Sequence, residues 1–289
     1  MTFSHTKLVR YCSALCCTAF LFFVVLSPVH ADIKLSFGLY SSETPTALVK
    51  KFRPIINSLE QKLSKDLSTN VSIKLSISKS YEEGIDSLVN GQVDFARFGP
   101  ASYVSASERN HGISLLAMET KKGQKEFKGI ICVHKDSPIK SVSDLVGKRF
   151  AFGSEKSTIG RYLSQQYLLE HGIKASDLET YEYLGRHDKV GYAVAKGKFD
   201  AGALKENTMK KLIKAGLPLR AIAEFSNVTK PWIARANLDE KLVAALKNAL
   251  INFDDKEALS GIKQDGFVAA DEKDYQKVRD AIKSNPAFF

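Results

Sequence analysis

The chain has 289 residues, of which 44% are hydrophobic and 26% are charged, an ordinary balance for a globular protein. Its formal net charge of +10 favours an anionic ligand or an anionic surface as a partner. The lysines are scattered along predicted helices, without an arginine-rich stripe or interleaved aromatic residues, which argues against a nucleic-acid partner.

Residues 1–31 have the three parts of a secretory signal peptide. Lys7 and Arg10 give a positive start, an apolar run over residues 11–26 follows, and Val29-His30-Ala31 is a small-x-small cleavage site. We predict cleavage after Ala31, export through the inner membrane, and a periplasmic chain that begins at or near Asp32.

A membrane anchor and a lipoprotein are the alternatives for this leader. The apolar run is shorter than the roughly 20 residues that a spanning helix needs. Cys16 and Cys17 lie early in the run, and the residues before them are unfavourable at the position before a lipidated cysteine.

The cleaved chain keeps 258 residues, a formal charge of +8 and one cysteine, Cys132. A single cysteine forms neither an internal disulfide nor a metal cluster, and we expect Cys132 to be a buried hydrophobic residue.

Short strands alternate with helices along the rest of the chain. Residues 33–40 alternate apolar and polar, and Pro45 opens a helix that Pro54 is expected to kink or interrupt. Further strands are predicted at 71–77, 93–99, 113–119, 129–134, 149–153, 179–184, 199–204 and 219–225, and further helices at 81–89, 158–171, 187–196 and 239–253. This alternation predicts an α/β fold of open, mostly parallel sheets covered by helices.

Ligands of such sheets gather where strands end and helices begin. The strongest candidate is the loop from Gly153 to Thr158, which joins a strand to a helix. A helix start offers free backbone N–H groups and a positive dipole end, and Ser157 and Thr158 add two hydroxyls. An anion therefore fits this loop, and plain N-capping by serine is the structural alternative. The spacing is not that of a Walker P-loop.

Three aromatic residues lie at or just after other strand ends. Tyr40, Phe98 and Tyr103 are expected to wall a ligand pocket, with the hydrophobic core as the alternative.

His187 follows a predicted strand and precedes a helix, where it is placed to donate a hydrogen bond into a cleft. We predict that it gives binding a pH dependence between about 6 and 7.5. Glu206, beside Lys205, also follows a strand and either contacts a ligand substituent or is solvated at a helix start.

The motifs of common enzymes are missing. The sequence has no Gly-x-Ser-x-Gly, His-Glu-x-x-His or Gly-x-Gly-x-x-Gly motif. The four histidines beyond the leader do not share metal-ligand spacing; they are His111, His134, His171 and His187. We therefore expect no catalytic residues, no metal and no cofactor.

Three segments together resemble one family. They are GQVDFARFGPASYV (91–104), DSPIKSVSDLVGKRFAFGSEKSTIGRYL (136–163) and GRHDKVGYAVAKGKFDAGAL (185–204). In this order and spacing they look like the PhnD-type substrate-binding proteins of phosphate, phosphite and phosphonate ABC transporters. The resemblance implies a type II periplasmic-binding-protein fold, in which two α/β lobes with mixed, mostly parallel sheets hold a ligand between them.

The resemblance also implies roles for individual residues. Ser157 and Thr158 match the family's Ser-Thr pair that holds phosphonate oxygens, His187 matches its histidine, and Tyr40 and residues 98–103 match segments that face the ligand. Asp200 matches a recurrent aspartate whose role, at the site or in the structure, stays open.

Two departures from the family argue against aminoethylphosphonate as the ligand. Phe98 stands where the members that bind it carry a tyrosine, and residues 204–207 differ from their acidic cluster. Phosphate, phosphite or another small oxyanion stays open.

The implied lobes are residues 32–130 with 233–289, and residues 131–232, joined by two hinge crossings near 127–135 and 226–236. We predict a monomeric periplasmic receptor that delivers a small phosphorus oxyanion or phosphonate to an ABC permease. The alternative is a sensor of the same fold that signals to a membrane kinase or cyclase.

Overall fold

The computed structural model describes residues 31–40 and 44–289, so the predicted signal peptide, apart from Ala31, lies outside the described residues. The strands of this part are β1 (Ile33–Tyr40), β2 (Val71–Ser78), β3 (Phe95–Arg97), β4 (Ser114–Thr120), β5 (Glu126–His134), β6 (Arg149–Phe152), β7 (Thr180–Tyr183), β8 (Ala201–Lys205), β9 (Leu219–Val228), β10 (Pro231–Ala234) and β11 (Gly266–Val268).

The α-helices are α1 (Pro45–Leu67), α2 (Tyr81–Val89), α3 (Pro100–Arg109), α4 (Leu163–Glu170), α5 (His187–Ala195), α6 (Glu206–Lys214), α7 (Glu240–Ile251), α8 (Lys256–Ser260) and α9 (Gln276–Ser284). A π-helical turn, Thr158–Tyr162, runs directly into α4. Within residues 31–40 and 44–289, no helix is long and apolar enough to cross a membrane.

Helix α1 continues through Pro54, so of the kink or interruption expected there the interruption does not occur. A proline inside a helix costs about 3 kcal/mol, because it removes a backbone hydrogen bond and crowds the preceding turn. One face of α1 is buried, and fully burying a single Phe or Leu contributes roughly 1.5–3 kcal/mol. The six side chains of that face therefore outweigh the proline; they are Leu48, Phe52, Ile55, Ile56, Leu59 and Leu63.

The strands form two sheets, each covered by helices. The first lobe has six strands in the order β11-β4-β10-β3-β1-β2, and the second has five in the order β7-β6-β8-β5-β9. The pairs β1–β2, β1–β3, β6–β7 and β6–β8 are parallel. The pairs made by β4, β5 and β10 are antiparallel. The sheets are mixed, as predicted, but their parallel part is smaller than expected because the strands around the crossings run the opposite way.

The chain crosses between the sheets twice, over residues 121–125 and over residues 229–230. The predicted lobe limits, 130/131 and 232/233, fall inside β5 and β10, because each crossing segment continues as a strand of the sheet that it enters. The C-terminal end, which we assigned to the first lobe, also contacts the second. Phe288 is fully buried there, with its ring 5.8 Å from that of Phe152.

Aromatic side chains fill the core of each lobe. In the first lobe Phe37 stacks on Trp232 at 4.5 Å, and both residues are fully buried. In the second lobe Phe150 packs against Phe152 at 4.6 Å. Cys132 is buried in β5, as predicted, and burial raises the pKa of its thiol to about 12. These cores fix the carboxyl ends of β1, β3, β6 and β8, where the chain enters the loops of the site.

Candidate functional site

A cavity lies between the two lobes, at the carboxyl ends of β1, β3 and β8. Four of the seven predicted ligand-binding residues line it: Tyr40, Phe98, Ser157 and Thr158. The other polar residues of its wall are Tyr81, Arg97, Lys205, Asn227 and Lys230. Among the residues of the wall that the structure describes, the charged ones are Arg97, Lys205 and Lys230, which are all cationic.

Tyr40 ends β1 and forms part of the first-lobe wall. Its hydroxyl oxygen accepts a hydrogen bond from the backbone N–H of Gly99 at 2.5 Å and lies 3.1 Å from Ser102 Oγ. Burial raises the pKa of Tyr40, which keeps its hydroxyl protonated at neutral pH. Tyr40 therefore joins β1 to the start of α3 and presents a neutral phenol at the cavity.

Tyr81 begins α2, and its ring stacks on that of Tyr40 at 4.3 Å. Burial raises the pKa of Tyr81 as well, and the side chain of Ser157 in the second lobe partly offsets that rise. Two neutral phenols thus lie side by side at the cavity wall.

Two close glycines support the second-lobe wall. β6 ends at Phe152, and the Gly153 N–H donates to the Gly160 carbonyl at 2.8 Å. A Cβ added at Gly160 would lie 2.8 Å from the Gly153 Cα, so a side chain there would force the strand end and the helical turn apart. Ser157 caps this turn, since its Oγ accepts from the Gly160 N–H at 3.0 Å. The serine is thus both the predicted cap and a residue of the cavity wall.

Thr158 makes the direct contact between the two helix starts. Its Oγ1 accepts a hydrogen bond from the backbone N–H of Ala101 at 2.9 Å. Ala101 is the second residue of α3, whose first N–H groups have no partners within their own helix. Both positive helix ends therefore converge on one small volume, where an anion would be stabilised.

Arg97 is held in place from behind by a buried carboxylate. Its Nε donates to Glu119 Oε1 at 2.6 Å and its Nη2 donates to Oε2 at 3.1 Å. Burial alone would raise the pKa of Glu119, but the charges of Arg97 and Lys230 hold it below its ordinary value. Glu119 is therefore ionised at neutral pH and fixes the guanidinium at the cavity wall.

Asn227, near the end of β9, is 2% exposed and lines the cavity. Its side-chain oxygen is buried and has no hydrogen-bond partner among the described residues. A buried polar atom of this kind costs free energy unless it is paired. The amide is thus a candidate partner for a bound ligand.

His187 begins α5, as predicted, but it lines a neighbouring pocket with Arg186 and Lys211 instead of the cavity itself. Its Nδ1 is buried without a hydrogen-bond partner. Burial first, and then the charges of Lys205 and Lys230, hold the pKa of His187 well below its ordinary value. This shift favours the neutral ring and argues against the predicted titration between about pH 6 and 7.5.

Two predicted site residues and Asp200 have partners away from the cavity. Tyr103 is fully buried, hydrogen-bonded to Glu272, and lies outside the cavity wall. Glu206 forms an ion pair with Lys210 one helical turn along α6. Asp200 accepts hydrogen bonds from the backbone and the side chain of Arg149 at 2.8 and 2.9 Å, a contact within the second lobe.

Four polar residues of the wall were missed: Tyr81, Arg97, Asn227 and Lys230. Tyr81 follows the carboxyl end of β2, so the rule that led to Tyr40 would have found it. Lys230 lies in the second crossing and Asn227 at the end of the strand before it, where no helix start marks a site. Lys205, left open with Glu206, faces the cavity. No group of three or more His, Cys, Asp or Glu that could hold a metal occurs in residues 31–40 and 44–289.

Residues 37–275 match the family described as "ABC transporter, phosphonate, periplasmic substrate-binding protein". The chain belongs to this family. This confirms the predicted family and its general function, the substrate-binding component of an ABC transporter.

Two relatives cover most of the chain. One is a probable ABC transporter phosphite-binding protein, PhnD1, of Prochlorococcus marinus strain MIT 9301. It is 27% identical over 286 residues, which are 91% of this chain and 94% of the relative. The other is the phosphonates-binding periplasmic protein of Escherichia coli K12, 27% identical over 244 residues, which are 79% and 70% of the two chains.

The fold is that of solved periplasmic binding proteins. The structure of Prochlorococcus PhnD1 in complex with methylphosphonate matches with a TM-score of 0.72 at 25% identity, over 88% of this chain and 97% of that one. The aliphatic sulphonate-binding protein SsuA of Escherichia coli matches with a TM-score of 0.61 at 18% identity, over 89% and 88%. The predicted two-sheet α/β class is therefore confirmed.

Proposed function

We propose that the cavity binds a small phosphorus oxyanion or phosphonate, whose oxygens lie between the start of α3 and the turn that begins at Thr158. The contact between Thr158 and Ala101 carries this proposal, because it brings two helix starts from different lobes to one point. The opposing N–H groups and hydroxyls surround that point with hydrogen-bond donors. A tetrahedral anion has several acceptor oxygens, which match donors arriving from several directions.

The charges of the wall favour the same class of ligand. Arg97, Lys205 and Lys230 line the cavity, and none of the wall residues in the described part of the chain carries a carboxylate. A partly enclosed site strengthens such charge interactions relative to water. The two phenols and the Asn227 amide supply neutral polar groups, which can accommodate either protonation state of a phosphonate.

The relatives' ligands support this proposal. One is named for phosphite, another for phosphonates, and the Prochlorococcus structure holds methylphosphonate. By membership of the same family, we infer that this chain acts in the periplasm after removal of its leader. There a monomer delivers its ligand to an ABC permease. Transport is preferred to sensing because the family is one of transporter components.

Calorimetry with phosphite, phosphate, methylphosphonate and sulfate tests this assignment. We expect at least one phosphorus ligand to bind clearly more tightly than sulfate, and to raise the melting temperature by mass action. Failure of all phosphorus ligands to bind the cleaved protein would overturn the proposal.

A growth experiment tests the delivery of the ligand to a permease. Deletion of the gene should abolish growth on the tight ligand as the only phosphorus source, and a copy without residues 1–31 should not restore it. Growth of the deletion strain at the parental rate would instead favour the sensor alternative.

A further inference from the structure

Residues 276–288, which are α9 and the short turn after it, form a strap that packs against both lobes. Val278 is buried in a hydrophobic cluster of the first lobe, whereas Ala281 and Phe288 are buried in a cluster of the second. Helix α9 contacts both α3 and the turn Thr158–Tyr162. These are the two elements whose starts meet at the cavity, so the strap joins them a second time, outside the cavity wall.

A row of hydrogen bonds fixes the strap to the second lobe. Asn285 is 5% exposed, and its Oδ1 accepts from Arg161 Nη2 at 2.6 Å. Its Nδ2 donates to Gln165 Oε1 at 2.6 Å, and Gln165 Nε2 donates to the Tyr183 hydroxyl at 2.8 Å. An arginine side chain only donates, so the amide oxygen of Asn285 has to face it. The orientation of this buried amide is therefore set by its two partners.

Arg161 connects the strap to the loop that carries the proposed anion site. It lies in the helical turn that begins at Thr158, and its Nη1 donates to the backbone carbonyl of Glu155 at 3.2 Å. The guanidinium carbon lies 5.0 Å from the centre of the Tyr162 ring. The planar guanidinium thus lies on an aromatic ring and joins the loop on one side to Asn285 on the other.

We propose that Asn285 is a positioning residue for the ligand: it orients Arg161, and Arg161 holds the loop before Thr158 in the shape that binds the anion. This rests on the proposed function, which places the phosphorus group beside Ser157 and Thr158. The donors of such a site are backbone N–H groups and short hydroxyl side chains, so their positions follow the path of the backbone. Neither Asn285 nor Arg161 lines the cavity, and both act on the ligand through the loop.

Two substitutions of Asn285 isolate its contact with Arg161. Leucine has nearly the shape of asparagine but accepts no hydrogen bond, so Asn285→Leu removes the partner of the guanidinium. We expect about a tenfold loss of affinity for the tight phosphorus ligand, as for other lost contacts that orient a binding residue. Asn285→Asp keeps an acceptor for Arg161, and its affinity should stay within about twofold of the parent. Both variants lose the bond donated to Gln165, so only the Arg161 contact distinguishes them.

Ser284 provides the matched control, because it belongs to the same strap. Its Oγ donates to Gln166 Oε1 of the second lobe at 3.1 Å, a contact that involves neither Arg161 nor the loop. Ser284→Ala should therefore change affinity by less than about twofold. Hydrogen exchange gives a measurement without ligand. The backbone N–H groups of residues 154–161 should exchange faster in Asn285→Leu than in the parent, and at the parental rate in Ser284→Ala.

Arg161→Gln approaches the same contact from the other side and serves also if Asn285→Leu does not fold. Alone it should lose about as much affinity as Asn285→Leu, because the loop loses the same support. Arg161→Gln combined with Asn285→Leu should bind no more weakly than Arg161→Gln alone, since Asn285 acts through the guanidinium. Losses that add in the double variant would overturn the positioning role.

The outcomes distinguish the two proposals. If the parent binds a phosphorus ligand and Asn285→Leu binds it equally well, the positioning role is overturned while the proposed function stands. Equal losses in Asn285→Leu and Asn285→Asp, or unchanged exchange in residues 154–161, would overturn it likewise. If no phosphorus ligand binds the parent protein, the proposed function fails and the positioning role fails with it.

Discussion

The hydroxyl oxygen of Thr158 lies 2.9 Å from the backbone nitrogen of Ala101 and accepts its hydrogen bond. The threonine begins a helical turn of the second lobe and the alanine lies in the first turn of α3 in the first lobe. A contact of this kind exists only when the lobes are closed. A bound oxyanion would share or replace this hydrogen bond, so lobe closure and ligand binding use the same donor groups.

The double variant Ser157→Ala with Thr158→Ala should lose more than about a hundredfold in affinity for the tight phosphorus ligand. Each hydroxyl bond to a charged ligand contributes roughly 1.5–3 kcal/mol, and two such bonds exceed that factor. If Ser157 were only a helix cap, its loss would lower the free energy of unfolding by about 1 kcal/mol and leave affinity intact. Calorimetry with chemical denaturation separates the two roles. Full affinity in a destabilised protein would contradict the anchor.

Gly99→Ala should weaken binding through Tyr40. The added methyl would lie 2.9 Å from the Tyr40 hydroxyl, although the backbone at Gly99 suits any residue. We expect about a tenfold loss of affinity, because the phenol has to move from the wall. Gly266→Ala is the control, since its methyl meets nothing closer than 3.6 Å. Unchanged affinity in Gly99→Ala would show that the position of Tyr40 does not matter for the ligand.

Much of this site could be predicted from the sequence because its parts are local. The strand predicted at 33–40 and the turn at Ser157 and Thr158 depend on alternation, glycines and caps within a few residues. Tyr103 shows where prediction from local sequence fails. Whether it faces a ligand or the core is decided by Glu272 and Tyr275, which lie about 170 residues further along the chain.

The crossing segments are a second part of the site that the local sequence does not predict. Asn227 and Lys230 lie at the end of a strand-like run, and nothing local marks them as part of a wall. They reach the cavity because the chain passes from the second sheet to the first at that point. The position of this crossing beside the cavity depends on the order of strands in both sheets, and the sequence pattern does not predict that order.

His187 should destabilise the folded protein in mild acid. Its pKa is held well below the ordinary value of about 6.5, so below that pH the unfolded chain takes up a proton that the folded chain does not. Stability is therefore complete above about pH 6.5 and falls as pH drops below it, by at most about 1.4 kcal/mol per pH unit.

The check is the free energy of unfolding of the parent and of His187→Gln from pH 5 to 8. The variant should lose less stability toward pH 5, since glutamine does not titrate. Its ligand affinity should follow the same pH course as the parent between 6 and 7.5. Parallel stability curves would mean that the folded histidine titrates normally.

Lys156 of the second lobe and Glu82 of α2 in the first form an ion pair at 3.2 Å across the cleft. Both side chains are half exposed, so the pair contributes at most about 1 kcal/mol to closure. Lys156→Glu replaces this attraction by repulsion and should shift the free protein toward an open form. Ligand affinity then falls in proportion to the population of the closed form. We expect a loss of about two- to tenfold, because part of the binding free energy is used to close the lobes.

Small-angle scattering and calorimetry check this shift. Ligand should reduce the radius of gyration of the parent, and Lys156→Glu should start from a larger value and reach the same closed value at saturation. The loss of affinity should shrink as salt screens the repulsion. Lys198→Glu is the control, because this exposed residue precedes the amino end of β8, whereas the cavity lies at its carboxyl end. A radius that does not change with ligand in either protein would rule out hinge closure as the binding motion.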